Sequence, residues 1–114
     1  TAYLVLKGAR TVIAFPDGRA FINPTGNPGM ATAGMGDALA GVIAGLVAQG
    51  VDPGKACCLG AFLHGFTGDR MAHAGTRIGM LASDLIGNLP GALSEMMGVL
   101  PARTRARGYF DIVG

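Results

Sequence analysis

The stretch that decides the fold is residues 23–50, NPTGNPGMATAGMGDALAGVIAGLVAQG. Its first half is rich in glycine, proline and threonine, whereas residues 38–48 carry no charge. A glycine loop that leads into an apolar helix leaves free backbone N–H groups at the positive end of the helix dipole. Glycine also adopts positive φ and lets a ligand approach the backbone closely. The pattern therefore predicts a site for phosphate or another anion.

Asp37 is the only carboxylate in this stretch. Because a carboxylate repels phosphate, Asp37 is better explained as a base or a metal-linked group beside the bound anion. Asp is also a common N-cap residue, so a purely structural role as a helix cap is the alternative interpretation. The two roles are compatible, and spacing alone does not separate them.

The helix that we predict to begin near Asp37 is apolar on all sides. Five larger side chains share one face at helical spacing, namely Leu39, Val42, Ile43, Leu46 and Val47. The opposite face consists of alanine and glycine. We therefore expect both faces to be buried, with Gly50 as the C′ residue beyond the end of the helix.

The chain before this stretch is the β-rich part. Residues 3–7 (YLVLK) predict a buried strand, and residues 11–22 predict a hairpin with Pro16-Asp17-Gly18 as its turn. Three short strands barely provide a sheet for a helix buried on both faces. The sequence therefore predicts the C-terminal part of a larger α/β layer protein, either as a fragment or as a chain that completes its core by forming a homo-oligomer.

The chain after this stretch is predicted to be helical. Asp52-Pro53 has the N-cap and N1 chemistry of a second helix that runs to about His73. We expect Leu59, Phe62, Leu63 and Phe66 to face inward, and Gly65 and Gly68 to kink the helix or end it early. A loop at residues 75–79 precedes a shorter helix that opens at Ala82 or Ser83 and is interrupted near residues 87–90. A last helix then carries Leu89, Leu93, Met96, Met97 and Leu100.

Composition excludes several classes of protein. A net charge of +2 is too weak to indicate nucleic-acid binding, and Arg103, Arg105 and Arg107 are read as part of a solvated tail. The longest uncharged apolar run, residues 38–48, is shorter than the roughly 20 residues that span a bilayer. Cys57 and Cys58 are adjacent, which is awkward for a disulfide between them. With no secretory signal at its start, the chain is expected to be a soluble, cytoplasmic protein with reduced thiols.

Residues 26–37 (GNPGMATAGMGD), followed by Leu39-Ala40-Gly41, closely resemble the signature of the ATP/ADP-dependent NAD(P)H-hydrate dehydratases. This family is a carbohydrate-kinase-like domain of the ribokinase-like superfamily. Residues 7–11 (KGART) resemble its KGAxT nucleotide-binding segment, and two further elements also match, residues 63–69 and 82–85. The resemblance implies an α/β fold: the C-terminal portion of a three-layer α/β/α domain over residues 1–100, with a basic and then apolar tail at 101–114.

The resemblance also implies a reaction. The terminal phosphoryl group of ATP or ADP is transferred to the ring hydroxyl of hydrated NADH or NADPH, and phosphate then leaves to restore the double bond. Transfers of this kind depend mainly on positioning and charge neutralisation. Mg²⁺ would bridge the phosphates, and its protein ligands stay unknown.

The implied site has three groups of residues. Asp37 would accept the hydroxyl proton and contact the hydrated substrate. The adenine nucleotide would be lined by Lys7, Gly8, Ala9, Arg10, Thr11 and Gly36. The anion hole would be formed by the amides of Ala33, Gly34, Met35, Gly36 and Asp37.

Two departures from the family pattern bear on activity. Met35 stands where such loops commonly carry Thr or Ser, so a hydroxyl is lost while the backbone N–H remains. The family domain is also more than twice this length, and its N-terminal portion supplies much of the substrate pocket. We therefore expect the isolated chain to be weakly active or inactive.

Two other functions are compatible with the same residues. One is a ribokinase-like kinase for a vitamin or sugar alcohol, in which transfer stops at the phosphorylated product. The other is an inactive truncated domain that persists as a self-associating module.

Four titratable residues outside these groups are given mainly structural roles. His64 is predicted to be a packed or hydrogen-bonded core histidine and His73 to lie at the surface. Asp69 and Asp84 are predicted to be helix-terminus or solvated carboxylates.

Overall fold

The computed structural model describes residues 2–75 and 79–98. Within them lie three short strands, a 3-10 turn and three helices. Their bounds, in chain order, are β1 Leu4–Leu6, β2 Val12–Ala14, β3 Ala20–Ile22, the 3-10 turn Pro28–Met30, α1 Met35–Ala48, α2 Pro53–His73 and α3 Ala82–Gly98. The tail at 101–114, with its three arginines and Leu100 before it, lies outside the described residues, as does part of the predicted loop at 75–79.

The three strands form one antiparallel sheet in the order β1-β2-β3, which confirms the predicted hairpin. Ile13 stands between Val5 and Phe21 in the register and is 1% exposed. It packs against Leu39 of α1 and Cys57 of α2. This inner face of the sheet is the one that the helices cover.

The outer face of the sheet corrects the prediction that β1 is buried. Leu4 and Leu6 alternate with Val5, so they point away from the helices, and they are 51% and 53% exposed. Ile22, which shares a row with Leu6 across the sheet, is 65% exposed. No element among the described residues packs on this side, so the outer face is apolar and open.

Helix α1 is flanked at both ends by a glycine with positive φ. Its N-cap is Gly34 (φ +86°) and its first residue is Met35, two residues earlier than predicted, so Asp37 lies in the first turn and is not the cap. The interpretation of Asp37 as a simple N-cap is therefore wrong. At the other end Gly50 (φ +95°) donates to the Val47 carbonyl at 3.0 Å, and Val51 donates to Leu46 at 3.1 Å. This is a Schellman motif, as expected from a C′ glycine.

The prediction that both faces of α1 are buried is also wrong. Ala38, Leu39 and Leu46 are buried against the sheet and the other helices. Ala40, Gly41, Ala44 and Val47 are exposed on the other side. The described residues form layers on only one side of α1, so apolar composition alone does not bury the helix.

Helix α2 matches its predicted bounds. The Asp52 carboxylate caps it by accepting from the N–H groups of Gly54 and Lys55 at 3.1 and 3.3 Å. The helix continues through Gly65 and Gly68, so the predicted kink or early end is wrong. A Cβ at Gly65 would collide with Thr25, and one at Gly68 would collide with Met30. These glycines let residues 25–30 lie directly on the helix.

The inward face of α2 differs from the one predicted. Of the four residues expected there, only Leu63 is buried, whereas Phe62 and Phe66 are half-buried and stack on each other with ring centroids 6.1 Å apart. The buried face is instead made mainly of small residues, together with Leu63, His64, Thr67 and Met71. Small side chains allow closer approach of the sheet, α1 and the loop between them.

Helix α3 is a single helix, which corrects the predicted interruption at residues 87–90. Pro90 lies inside it and removes one hydrogen bond, to the carbonyl of Ile86 on the exposed side. Leu85 and Ala92, both fully buried, anchor the helix on either side of the proline. At its start the Asp84 carboxylate accepts from the Leu81 N–H at 3.1 Å, as in half of a capping box, so Asp84 is a helix-terminus carboxylate as predicted.

Candidate functional site

The loop that leads into α1 is fastened to α2 by side chains. Asn23 is 8% exposed and donates through Nδ2 to the Ala61 carbonyl at 3.0 Å. Thr25 donates through Oγ1 to the Phe62 carbonyl at 3.0 Å. The backbone N–H groups of a helix are already used within it, so these contacts use the remaining acceptor capacity of the α2 carbonyls. The loop is thereby fixed close to the helix axis.

Asp69 holds the next part of the loop. Its carboxylate accepts from the Gly26 N–H and from Asn27 Nδ2, both at 2.9 Å. Asn27 Oδ1 in turn accepts from the Gly29 N–H at 3.0 Å and so begins the 3-10 turn. The prediction that Asp69 is a helix-terminus or solvated carboxylate is therefore wrong, since it lies inside α2 and bonds the loop.

The first turn of α1 presents free amides. The Met35 N–H donates to the Thr32 carbonyl at 3.3 Å, and the Ala38 N–H donates to the Gly34 carbonyl at 2.9 Å. The N–H groups of Ala33, Gly34, Gly36 and Asp37 have no acceptor within the described residues. Four unpaired donors at the positive end of a helix form an environment suited to an anion.

The Lys7 side chain ends beside Gly36, one of these four residues. Its ammonium nitrogen is so close to Gly36 that a Cβ on Gly36 would collide with it. In the part of the chain that the structure describes, Lys7 has no carboxylate partner. A lysine at a helix N-terminus is unfavourable unless an anion lies between the two positive groups. The arrangement is therefore electrostatically complementary to a phosphate.

His64 lies beneath the first turn of α1. It is 9% exposed, and its Nε2 is 3.1 Å from the Met35 carbonyl oxygen. Burial lowers the pKa of His64, the bond to Met35 opposes this shift, and the nearby Lys7 charge adds to it. The prediction of a packed, hydrogen-bonded histidine is confirmed.

Five of the six residues predicted for the nucleotide line one cavity of about 760 Å³. Lys7, Gly8, Ala9, Thr11 and Gly36 line it, together with Ala33 and Met35 of the predicted anion hole. The other wall is formed by loop and α2 residues, among them Asn23, Thr25 and His64. Arg10 is not among its lining residues.

Asp37 borders a second, shallower hollow of about 440 Å³. Its lining includes Gly34 and Ala38 of the α1 start and Ile86 and Leu89 of α3. The Asp37 residue is exposed, and its carboxylate has no hydrogen-bond or ion-pair partner among residues 2–75 and 79–98. The first turn of α1 thus separates a nucleotide-sized cavity from a mostly apolar hollow with one free carboxylate.

The described residues contain no cluster of side chains suited to coordinating a metal ion. No group of three His, Cys, Asp or Glu side chains among them could hold an ion. Cys57 and Cys58 are free thiols, and burial raises the pKa of each. No helix of the described residues is long and apolar enough to span a membrane.

Sequence reasoning did not identify Asn23, Thr25 and Asp69 as residues that shape the site. One local sequence pattern could have indicated them. Asn23, Thr25 and Asn27 alternate with prolines and a glycine, and such polar residues are noticeable in a chain of which only 14% of the residues are charged. Such polar residues between a strand and a helix often bond backbone groups. Their partners in α2 are 37 to 43 positions away, which no local pattern specifies.

Comparisons with known proteins agree on one family. A family model described as NAD(P)H-hydrate dehydratase matches residues 1–91. The chain is 59% identical over 95 residues to the bifunctional NAD(P)H-hydrate repair enzyme Nnr of Moorella thermoacetica, covering 83% of this chain and 18% of that protein. It is 47% identical over 85 residues to the ADP-dependent (S)-NAD(P)H-hydrate dehydratase of Neisseria meningitidis, covering 74% of this chain and 29% of that protein.

Solved structures give the same result. The ADP/ATP-dependent NAD(P)H-hydrate dehydratase of Bacillus subtilis, co-crystallised with ATP/Mg²⁺, superposes with a TM-score of 0.78 at 39% identity, over 82% of this chain and 34% of that one. A ribokinase-like superfamily protein from Enterococcus faecalis superposes with a TM-score of 0.70 at 41% identity, over 82% and 32%. The predicted α/β, ribokinase-like class is confirmed, and the chain spans between about a fifth and a third of the length of these relatives.

Proposed function

This chain belongs to the NAD(P)H-hydrate dehydratase family, and on that premise we propose that it carries the nucleotide-binding half of a site that dehydrates hydrated NADH or NADPH at the expense of ADP or ATP. The Neisseria and Bacillus relatives bear this activity in their names. Support from the chain itself comes from one observation above all: the Lys7 ammonium lies beside Gly36, in the helix start that carries four unpaired amides.

The nucleotide would lie in the larger cavity with its terminal phosphate at this point. Lys7 neutralises charge on the transferring phosphoryl group, and the amides of Ala33, Gly34, Gly36 and Asp37 donate to its oxygens. Gly36 has no side chain between the ammonium and the amides, so both can reach the same phosphate. Arg10 lies in the predicted KGART segment but outside the cavity lining, so we assign it no contact with the phosphate.

Asp37 would act from the neighbouring hollow. The hydrated nicotinamide ring is mostly apolar and would face Ile86 and Leu89, with its hydroxyl directed to the free carboxylate. Asp37 accepts the hydroxyl proton while that oxygen bonds to the terminal phosphorus and the nucleotide leaves with one phosphate fewer. Loss of phosphate together with a ring proton then forms the double bond of the reduced cofactor.

Mg²⁺ fits this site only as part of the nucleotide complex. The described residues offer no cluster of three ligands, and Mg²⁺ is commonly held by substrate phosphates, water and one or two carboxylates. When bound it would neutralise phosphate charge. We propose that Mg²⁺ enters the site together with ADP or ATP.

We also propose that the protein acts in the reducing cytoplasm, where the thiols of Cys57 and Cys58 stay free.

The test is coupled turnover of hydrated NADH with ADP or ATP and Mg²⁺, following reduced-nicotinamide absorbance. Asp37→Asn removes the proton acceptor and should lower kcat by about a hundredfold or more. Asp17→Asn is the matched control, because Asp17 is an exposed turn carboxylate paired with Arg19. Unchanged turnover in Asp37→Asn would refute the role of Asp37, and a stable phosphoester without restored NADH would identify a kinase instead.

A further inference from the structure

We propose that His64 is a positioning residue for the phosphoryl group: by hydrogen bonding to the Met35 carbonyl, it fixes the direction of the Gly36 N–H. The inference rests on the proposed function, because it deepens the account of the same site. It assigns a role to a residue that lies beneath the anion site and would not touch the phosphate.

The peptide unit between Met35 and Gly36 links His64 to the anion site. The carbonyl of Met35 and the N–H of Gly36 belong to the same peptide bond, and the described chain contains no cis peptide. In a trans peptide the C=O and N–H groups point in opposite directions. Since His64 Nε2 lies 3.1 Å from the Met35 oxygen, the Gly36 N–H points away from His64. The Lys7 ammonium also lies close to Gly36.

Inside α1 the Met35 carbonyl accepts an i→i−4 bond of the helix, from Leu39, so His64 adds a second bond to the same oxygen from outside the helix. The residue before Met35, Gly34, has no side chain and a positive φ, and it makes no side-chain cap. The Met35 N–H makes only a long bond of 3.3 Å to Thr32. First turns of helices fray when they lack caps. His64, held within the long helix α2, therefore ties this first turn to a second helix, which no side-chain cap does.

The protonation state of His64 suits this positioning role. To donate from Nε2 to a carbonyl, neutral His64 must carry its proton on that nitrogen. Burial keeps the ring neutral, and Lys7, the charged group that acts on it, works in the same direction. A neutral donor holds the peptide without placing a competing charge under the phosphate, and a bonded carbonyl also polarises the N–H of its own peptide.

The decisive experiment compares two substitutions in the full chain. His64→Gln keeps an amide donor near the position of Nε2, whereas His64→Leu keeps bulk and removes the donor. With hydrated NADH and ADP, we expect His64→Leu to lower kcat by about tenfold to a hundredfold with little change in KM for ADP, and His64→Gln to recover most of that loss. A purely structural role would instead lower thermal stability and activity together in both variants, and this result would overturn the proposal.

A second readout does not depend on turnover. Amide hydrogen exchange and the ¹H–¹⁵N chemical shift of Gly36, measured without ligand, should change in His64→Leu and stay close to wild type in His64→Gln. A half-site is expected to turn over weakly or not at all, and if the wild-type chain shows no turnover, the Gly36 amide alone decides whether His64 orients the peptide, while loss of ADP binding would count against the proposed function. An unchanged Gly36 amide in His64→Leu would overturn the proposal whatever the activity.

Discussion

Gly36 is the residue at which the anion site is most sensitive to a single methyl group. A Cβ there would collide with the Lys7 ammonium, which is the free end of a flexible side chain and can swing away. In Gly36→Ala we therefore expect the affinity for ADP to fall about tenfold, since the ammonium and the amides no longer reach one phosphate. Thermal stability should stay equal or rise, because alanine is favoured over glycine in helices by roughly 0.5–1 kcal/mol.

The control for this prediction lies in the same helix. An added Cβ on Gly45 would meet no atom within 4 Å. Gly45→Ala should therefore stabilise α1 in a thermal melt and leave ADP binding, measured by calorimetry, unchanged. Equal ADP affinity in Gly36→Ala and Gly45→Ala would remove Lys7 from the site.

His64 gives the stability of the chain a defined pH dependence. Its pKa is lowered in the folded state by burial, so the unfolded chain binds more protons than the folded one once the pH drops towards the ordinary value of about 6.5. Stability is therefore full above that value and is lost as the pH falls towards the lowered folded pKa. Urea denaturation at several pH values should show this loss in wild type and less of it in His64→Gln. Parallel pH curves for the two proteins would contradict the burial of a neutral His64.

The separate residues of the site were predictable, but their contacts were not. Resemblance to the family singled out Lys7 and Gly36, and the apolar surroundings of His64 indicated a core histidine. The approach of Lys7 to Gly36 and of His64 to Met35 joins positions 29 residues apart in each case. Such contacts depend on how the strand and helices pack, which neither spacing nor composition specifies.

At the scale of the elements, the loop before α1 depends on Asp69 of α2. Asp69→Ala removes both acceptor bonds to Gly26 and Asn27 and should cost about 1–3 kcal/mol of unfolding free energy. Asp69→Asn keeps one oxygen that can accept a hydrogen bond, but its new NH₂ group would meet the NH₂ group of Asn27. We therefore expect a loss of unfolding free energy between those of wild type and Asp69→Ala. Chemical denaturation measures both, with Glu95→Gln on α3 as the control for loss of a half-exposed carboxylate, because Glu95 pairs with Arg70 of α2 and not with the loop. Equal stability of Asp69→Ala and wild type would show that the loop does not need this anchor.

Element bounds were predicted best where short-range chemistry sets them. Asp52-Pro53 at the start of α2 and Gly50 after α1 act through hydrogen bonds within four or five residues, so the sequence specifies them directly. The glycines of α2 and Pro90 of α3 were misread as breaks. In both helices tertiary packing overrides local preference: the glycines accommodate Thr25 and Met30, and buried Leu85 and Ala92 anchor α3 around its proline.

At the scale of the whole molecule, the outer face of the sheet is open, as expected of a chain that holds only part of an α/β layer protein. Apolar composition predicted a buried first strand and burial on both faces of α1, but burial needs another layer, and the described residues supply only one. An open apolar face favours self-association. We therefore expect the chain at high concentration to form oligomers through this face.

Sedimentation velocity tests this expectation. Leu6 and Ile22 lie in one row of the sheet on its outer face. Replacing both with Lys should shift the chain towards monomer without loss of helix content, since neither side chain lies on the inner face. Val47→Lys, on the exposed side of α1, serves as the control and should leave the association unchanged. A wild-type chain that stays monomeric would exclude association through the sheet.

The central claim is that the start of α1, faced by Lys7, binds the phosphate of an adenine nucleotide. The measurement that tests it most directly is an ADP titration of the ¹⁵N-labelled chain, followed through its amide resonances, beside a Lys7→Met variant. We predict that ADP changes the amide chemical shifts of Gly36 and Asp37 most. In Lys7→Met these changes should disappear at the same ADP concentration. Shifts centred elsewhere, for example on the Pro16–Gly18 turn, or equal shifts in the two proteins, would contradict the account.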